Sequence, residues 1–209
     1  MKILGICCSP RRNGNTEILV REALKGAEES GAETELVTLA GKNLKPCDGC
    51  LSCEATTRCH LNDDMQEIYE KLLAADGIII GTPVYFWSVV AQAKILIDRA
   101  YAVRSPNLRL AGKAAGAIAV AGRAGAMEAI TLLERVFLSH HMLVAESVEG
   151  LARDKGDMVK DKRGMRCAFE LGKQVTFLAR QTIRLPEEHN ISFYKFVAER
   201  YNTPRYPVP

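Results

Sequence analysis

Four of the chain's seven cysteines, Cys47, Cys50, Cys53 and Cys59, lie in or just after the run Pro46-Cys47-Asp48-Gly49-Cys50-Leu51-Ser52-Cys53. Three of them recur at intervals of three, and the residues between them are polar or turn-forming rather than core-forming. Thiols gathered this closely in a reduced protein serve a metal or a redox reaction. An odd cysteine count without an export signal argues against a disulfide framework. The other three, Cys7, Cys8 and Cys167, fall in apolar segments and read as small core residues.

A second gathering of chemical groups follows the first apolar run, Lys2 to Cys8. Ser9-Pro10-Arg11-Arg12-Asn13-Gly14-Asn15-Thr16 leads from that run into a helical pattern, so backbone N–H groups and a helix N-terminus converge on one point. Ser9, Asn15 and Thr16 add side-chain donors and Arg11 adds charge, which suits a phosphate. The stretch has neither the G-x-G-x-x-G dinucleotide fingerprint nor the Lys-Ser/Thr ending of a triphosphate loop. A simple helix cap with solvent-facing arginines is the alternative.

Two further stretches follow apolar runs. Pro83, Val84, Tyr85, Phe86 and Trp87 place three consecutive aromatics beyond a strand end, where all three cannot point inward. They line a flat pocket or else form a hydrophobic plug or subunit contact. Gly122, Arg123 and Gly125 sit in a small-residue turn that lets a ligand approach the backbone. One site for phosphate, one aromatic and one glycine-rich describe a flat ring on a phosphorylated tail, and flavin mononucleotide (FMN) fits.

These stretches need a frame that brings strand ends together. Apolar runs at Lys2 to Cys8, Glu35 to Leu39, Asp76 to Gly81, Ala114 to Val120 and Met142 to Glu146 read as strands. The third is expected to break at Thr82-Pro83. Helical patterns separate them: from Thr16 to before Gly31, from a cap at Asn62 or Asp63 through Leu73, from Val89 to Ala102, and from Gly125 through His140. A charged loop over residues 149–163 precedes a last helix, residues 163–184. Strand alternating with helix predicts an α/β doubly wound parallel sheet, five-stranded and covered on both faces. One domain is expected over residues 1–185. Residues 186–209, with Ile191, Phe193, Tyr194, Phe196 and Val197, read as a C-terminal arm packed on the body or on a neighbouring subunit.

Composition excludes several function classes. A net charge of +3 and a single Trp outside any basic run give no footprint for nucleic acid. No apolar run reaches the ~20 residues that span a bilayer, so a cytoplasmic protein is expected. No Ser/His/Asp set and no spaced carboxylate pair asks for hydrolysis; Asp63-Asp64 opens a helix, where negative charge is stabilising.

The pattern S-P-R-x-x-G-N-T, the segment G-T-P-V-Y-F leading into A-Q-A-K-x-L-I-D-R (Ala91 to Arg99), and the cysteine loop between them resemble the iron–sulfur flavoproteins. These belong to the flavodoxin-like NAD(P)H-dependent FMN reductase superfamily. The resemblance covers residues 1–148 and departs from the family at Ala126 and Met127, where many relatives carry a glycine and a glutamine. It implies a flavodoxin-like sheet of order 2-1-3-4-5 and FMN held by the three strand-end loops. Ser9, Arg11, Asn13, Asn15 and Thr16 would then meet the phosphate, and Pro83 to Trp87 with Gly122 to Gly125 the ring. It further implies a [4Fe-4S] cluster on the C-x2-C-x2-C-x5-C loop (residues 46–60) and a homodimer or homotetramer. Electrons would come from NAD(P)H or a ferredoxin-like donor and pass to a flavin, quinone or other small acceptor.

On their own terms, three thiolates at intervals of three can wrap one iron–sulfur cluster, with a fourth from a short loop closing its last iron. Zinc and a metal-free thiol loop are the rival readings; structural zinc sites usually show two separated cysteine pairs. An NAD(P)H-dependent FMN or quinone reductase without a cluster, and a non-enzymatic flavin-binding module, are the corresponding alternatives for the whole chain.

Overall fold

A computed structural model describes residues 1–181 and, beyond them, only positions 183, 186, 189–191, 195, 197, 199 and 200. In chain order the elements are β1 (Lys2–Cys7), α1 (Asn15–Glu29), β2 (Glu33–Thr38), α2 (Ser52–Thr56), α3 (Met65–Ala74), β3 (Gly77–Tyr85), β4 (Ser88–Val89), α4 (Ala91–Arg99), α5 (Tyr101–Arg104), β5 (Ala114–Ala121), α6 (Ala126–Ser139), β6 (Leu143–Val144), β7 (Val148–Leu151), a 3-10 turn (Asp157–Lys160) and α7 (Lys162–Ala179).

The sheet runs β2-β1-β3-β5-β6, all parallel, with β7 also on β5 and β4 folded back antiparallel on β3. The central strands are apolar runs because both faces are covered. On one face, α1 and α7 bury Leu19, Val20, Leu171 and Val175 against Ile3, Ile79 and Ile118. These two helices touch backbone to backbone: a Cβ at Gly172 would sit 1.8 Å from Ala23 O, so only glycine fits the crossing. On the other face, α3, α4 and α6 bury Ile68, Leu72, Leu96, Ile130 and Leu133 against Leu4, Ile6, Ile78 and Ile80.

Three expectations about boundaries are corrected. The third strand does not break at Thr82-Pro83 but continues to Tyr85. β1 ends opposite Gly81, whereas β5 stays paired as far as Pro83 with Val120. Past Gly81 the strand has one parallel neighbour, and a proline without an N–H is tolerated at such an edge. The chain then turns at Phe86-Trp87 into β4, and Thr82 Oγ1 accepts from Val90 N at 3.2 Å to seat the start of α4. The expected fifth strand occupies one edge position in two pieces: β6 pairs with Ala114–Ala115 and β7 with Ile118–Ala121. Its second piece reaches into the expected charged loop. The helix expected over Val89 to Ala102 is α4 followed by the short α5.

Of the C-terminal arm, Ile191 forms an isolated antiparallel bridge with Asn107. Phe193, Tyr194 and Phe196 lie outside the described residues. Among the described residues no helix is long and apolar enough to cross a membrane.

Candidate functional site

The loops after β1, β2, β3, β5 and β7 all leave the sheet at the carboxyl edge of its parallel strands, where ligands of open α/β sheets bind. Two adjoining cavities lie along this edge.

The first, about 200 Å³, is lined by Ser9, Arg11, Gly14, Asn15 and Thr16 from the β1–α1 loop, by Pro83 to Tyr85, by Val120 and Gly122, and by Ala152, Arg153 and Lys155. α1 begins at Gly14 with no side-chain cap, which leaves its first-turn N–H groups to an anion at the positive end of the helix dipole. Ser9, only 4% exposed, braces the turn: its Oγ accepts from Arg11 N at 3.1 Å and donates to Arg11 O at 3.3 Å. Glu17 holds the far side of the loop, accepting from Asn13 N at 2.8 Å and from Arg21 at 2.7 Å. Burial alone would raise its carboxyl, but these donors hold it below the usual glutamate range.

Asn13 and Asn15 are placed differently from the other expected phosphate residues. Asn13 is exposed with φ +52° and does not line the cavity. The Asn15 side chain turns to the loop after β7, with Nδ2 donating to Asp154 O at 2.8 Å and Oδ1 accepting from Gly156 N at 2.9 Å. That loop brings Arg153 and Lys155, which the sequence reading missed. Their only signal was a basic pair on the charged loop after an edge strand, and that edge strand was itself placed too early.

The second cavity, about 780 Å³, runs from Trp87 and the Ala121–Glu128 segment to Gly150, Leu151, Lys160 and Arg163. Arg123 and Gly125 lie on its wall, together with the departures from the family pattern: Ala126 and the exposed Met127 form the first turn of α6. Gly125 has φ +93°, and a Cβ there would meet Val84 Cγ1 at 3.0 Å and Trp87 Cε3 at 3.3 Å, so the glycine turn and the aromatic hairpin close on each other. The hairpin tip is strained: Phe86 (φ +45°) and Trp87 (φ +70°) both occupy the left-handed region, which bulky residues rarely adopt. Phe86 is 98% exposed and Trp87 54%. A third cavity, about 550 Å³, lies under α7 at the β6–β7 edge and shares only Arg163 with the second.

The loop holding Cys47, Cys50, Cys53 and Cys59 lies along the same edge, beyond β2, and is irregular apart from the single turn α2. All four thiols are free; Cys47 and Cys50 are exposed, Cys53 and Cys59 half-buried. Gly49, Leu51 and Thr57 take positive φ angles, which fold the loop back on itself. Asp48 draws its tip together, accepting from Cys50 N at 3.2 Å and pairing with His60 Nε2 at 2.7 Å. Arg109 fixes the other side by donating to Thr57 O at 2.7 Å. The Cys53 thiol is pushed up by burial and then by the proximity of Cys59, Cys50 and Cys47. Four free soft donors on one loop fit an iron–sulfur cluster, while the Asp48 carboxylate and the His60 ring lie with the Cys50 thiol within 4.8 Å of one another at its exposed tip.

A doubly wound sheet with an uncapped helix N-terminus, a flat trough and converging loops at its carboxyl edge defines the flavodoxin-like class. Residues 1–155 match the family described as NADPH-dependent FMN reductase. An iron–sulfur flavoprotein of Methanocaldococcus jannaschii is 43% identical over 185 residues, 84% of this chain and 95% of that protein. An iron–sulfur flavoprotein of Methanosarcina thermophila is 43% identical over 122 residues, 58% of this chain and 64% of that protein, a little under two thirds of its length. Among solved structures, RosB with bound 8-demethyl-8-formylriboflavin-5'-phosphate aligns with a TM-score of 0.78 at 17% identity, covering 100% of this chain and 90% of that one. At that identity the likeness is one of fold. The chain belongs to the NADPH-dependent FMN reductase family, in its iron–sulfur flavoprotein branch.

Proposed function

We propose that the chain is an iron–sulfur flavoprotein that holds FMN across the two adjoining cavities and a [4Fe-4S] cluster on Cys47, Cys50, Cys53 and Cys59. The observation that carries this is the placement of four free thiols on one loop at the sheet edge that also carries the phosphate cradle. When bound, FMN exchanges electrons in pairs or singly and the cluster exchanges one at a time, so together they join one-electron and two-electron partners.

The chain's own residues bind and orient. The first-turn N–H groups of α1 with Ser9 and Thr16 take the phosphate, and Arg11, Arg153 and Lys155 balance its charge. Asn15 holds the loop that brings the last two, and Asn13 shapes the turn ahead of Gly14. Pro83, Val84, Tyr85 and Trp87 face the ring from one side, with Gly122, Arg123 and Gly125 on the other. Exposed Phe86 beside this trough suits contact with a second copy, as in a homodimer or homotetramer. NAD(P)H or a ferredoxin-like protein serves as donor, and a flavin, a quinone or another small acceptor receives the electrons. Seven free cysteines suit a reducing, cytoplasmic setting.

Iron, sulfide and flavin analysis of anaerobically prepared protein tests the reading. About four iron and four sulfide per FMN is the expected result. Flavin without iron would leave a reductase with bare thiols, and bound zinc would overturn the cluster.

A further inference from the structure

The cysteine loop is stapled at its base by a buried ion pair that the flavin site does not use. Arg99, the last residue of α4, has a fully buried side chain, as does its partner Asp63. Its guanidinium forks. Nη1 donates to Asp63 Oδ2 at 2.6 Å and to Lys45 O at 3.0 Å; Nη2 donates to Asp63 Oδ1 at 3.0 Å and to Leu61 O at 3.4 Å. Asp63 Oδ2 also accepts from Lys45 N at 2.8 Å. Lys45 lies two residues before Cys47 and Leu61 two after Cys59, so one planar cation ties both stems of the loop.

A second buried group sits over Cys59. The Tyr69 hydroxyl, on α3, donates its one proton to Arg99 O at 2.9 Å, with the Cys59 side chain close by. Gln66, one turn earlier, donates to Cys59 O at 3.1 Å and Leu61 O at 2.7 Å. α3 and α4 therefore hold the backbone on the Cys59 side of the loop.

A buried ion pair is a costly way to gain stability, since its desolvation offsets most of its attraction; apolar residues of similar volume often do as well. What the pair supplies here is geometry. A lysine could not reach Asp63 and two carbonyls at once, whereas the rigid fork does.

We propose, on the reading that the loop carries a cluster, that Arg99 is a positioning residue for it: its fork fixes the spacing of the two stems that carry Cys47 and Cys59, and the Tyr69 hydroxyl holds Arg99 in place through its carbonyl. Tyr69→Phe removes only the hydroxyl and leaves the ring packed. Arg99→Lys keeps the charge and removes the fork.

The test is metal analysis of anaerobically prepared protein and amide hydrogen exchange of its metal-free form, with FMN content measured on each protein. Tyr69→Phe is expected to keep FMN and to lose less iron than Arg99→Lys. Arg99→Lys is expected to keep FMN, to lose at least half of its iron, and, freed of metal, to exchange the amide hydrogens of residues 45–61 at least tenfold faster than metal-free wild type. A loaded wild type with Arg99→Lys at full iron would overturn the inference alone. An iron-free wild type would overturn the reading on which it rests.

Discussion

The side-chain amide of Asn15 reaches across the sheet edge to Asp154, donating to its carbonyl at 2.8 Å while accepting from Gly156 N and Met158 N at 2.9 and 3.3 Å. The first residue of α1 thereby locks the loop that carries Arg153 and Lys155 against the phosphate cradle. Net hydrogen bonds are worth about 1 kcal/mol each. Asn15→Ala is expected to weaken FMN binding by about tenfold or more, through a loosened loop. Isothermal titration of flavin-free protein checks this. Arg153→Ala should weaken binding comparably and flatten its salt dependence, as loss of a charge contact does.

The two-residue turn at Phe86-Trp87 needs positive φ at both positions, a geometry that Asn-Gly adopts with little strain. Left-handed strain in such residues amounts to about 1–3 kcal/mol each. Replacing the pair by Asn-Gly is expected to raise the melting temperature by several degrees and to weaken flavin binding. Differential scanning calorimetry beside a flavin titration separates the two effects. A variant no more stable than wild type would show that the surroundings already relieve the turn.

Much of this architecture is readable from residue order. The apolar runs at β1, β3 and β5 and the helical spacing of Met65, Ile68, Tyr69 and Leu72 reflect local periodicity, which burial on both sheet faces imposes directly. Pro83 misled because its effect depends on a neighbour: only the end of β1 at Cys7 makes the position an edge. The split of the fifth strand, and with it Arg153 and Lys155, depends on pairing with β5, which leaves no mark in local composition. Ser9, Gly14 and Thr16 belong to one short loop and are visible together; Asn15 looks like their equal, yet its partners lie 139 to 143 positions away. Arg99 is visible only as the end of the A-Q-A-K-x-L-I-D-R motif, since its partners at residues 45, 61 and 63 come from another segment.

His140 closes α6 in a buried position, with Arg104 and His141 beside it. Burial first, then those neighbours, push it down to about 4 from 6.5. The folded chain keeps it neutral while the unfolded chain takes a proton below about 6.5. Its stabilising effect is therefore full above about pH 6.5 and lost as pH falls towards about 4, up to about 3 kcal/mol in all. That window lies above the one in which Asp63 is expected to act, whose carboxyl is held below the usual aspartate range despite burial, by Arg99 and by Lys45 and Met65 N–H. Urea melts from pH 7 to 5 should show this slope in wild type and a flatter one in His140→Leu.

Serine at Cys47, Cys50, Cys53 or Cys59 is expected to remove most of the iron and leave FMN bound, because the two sites share no side chain. Cys167→Ser on α7 should keep both. Metal analysis with flavin absorbance reads all five variants, and iron retained by the Cys53 variant would remove that residue from the ligand set.

The central claim is that cluster and flavin work as one electron store at a common sheet edge. Anaerobic titration of the holoprotein with dithionite counts it. Two electrons for FMN and one for the cluster give an end point at about three per flavin, with the cluster's absorbance bleaching within the same titration. An end point at about two, with iron absent or unbleached, would contradict it.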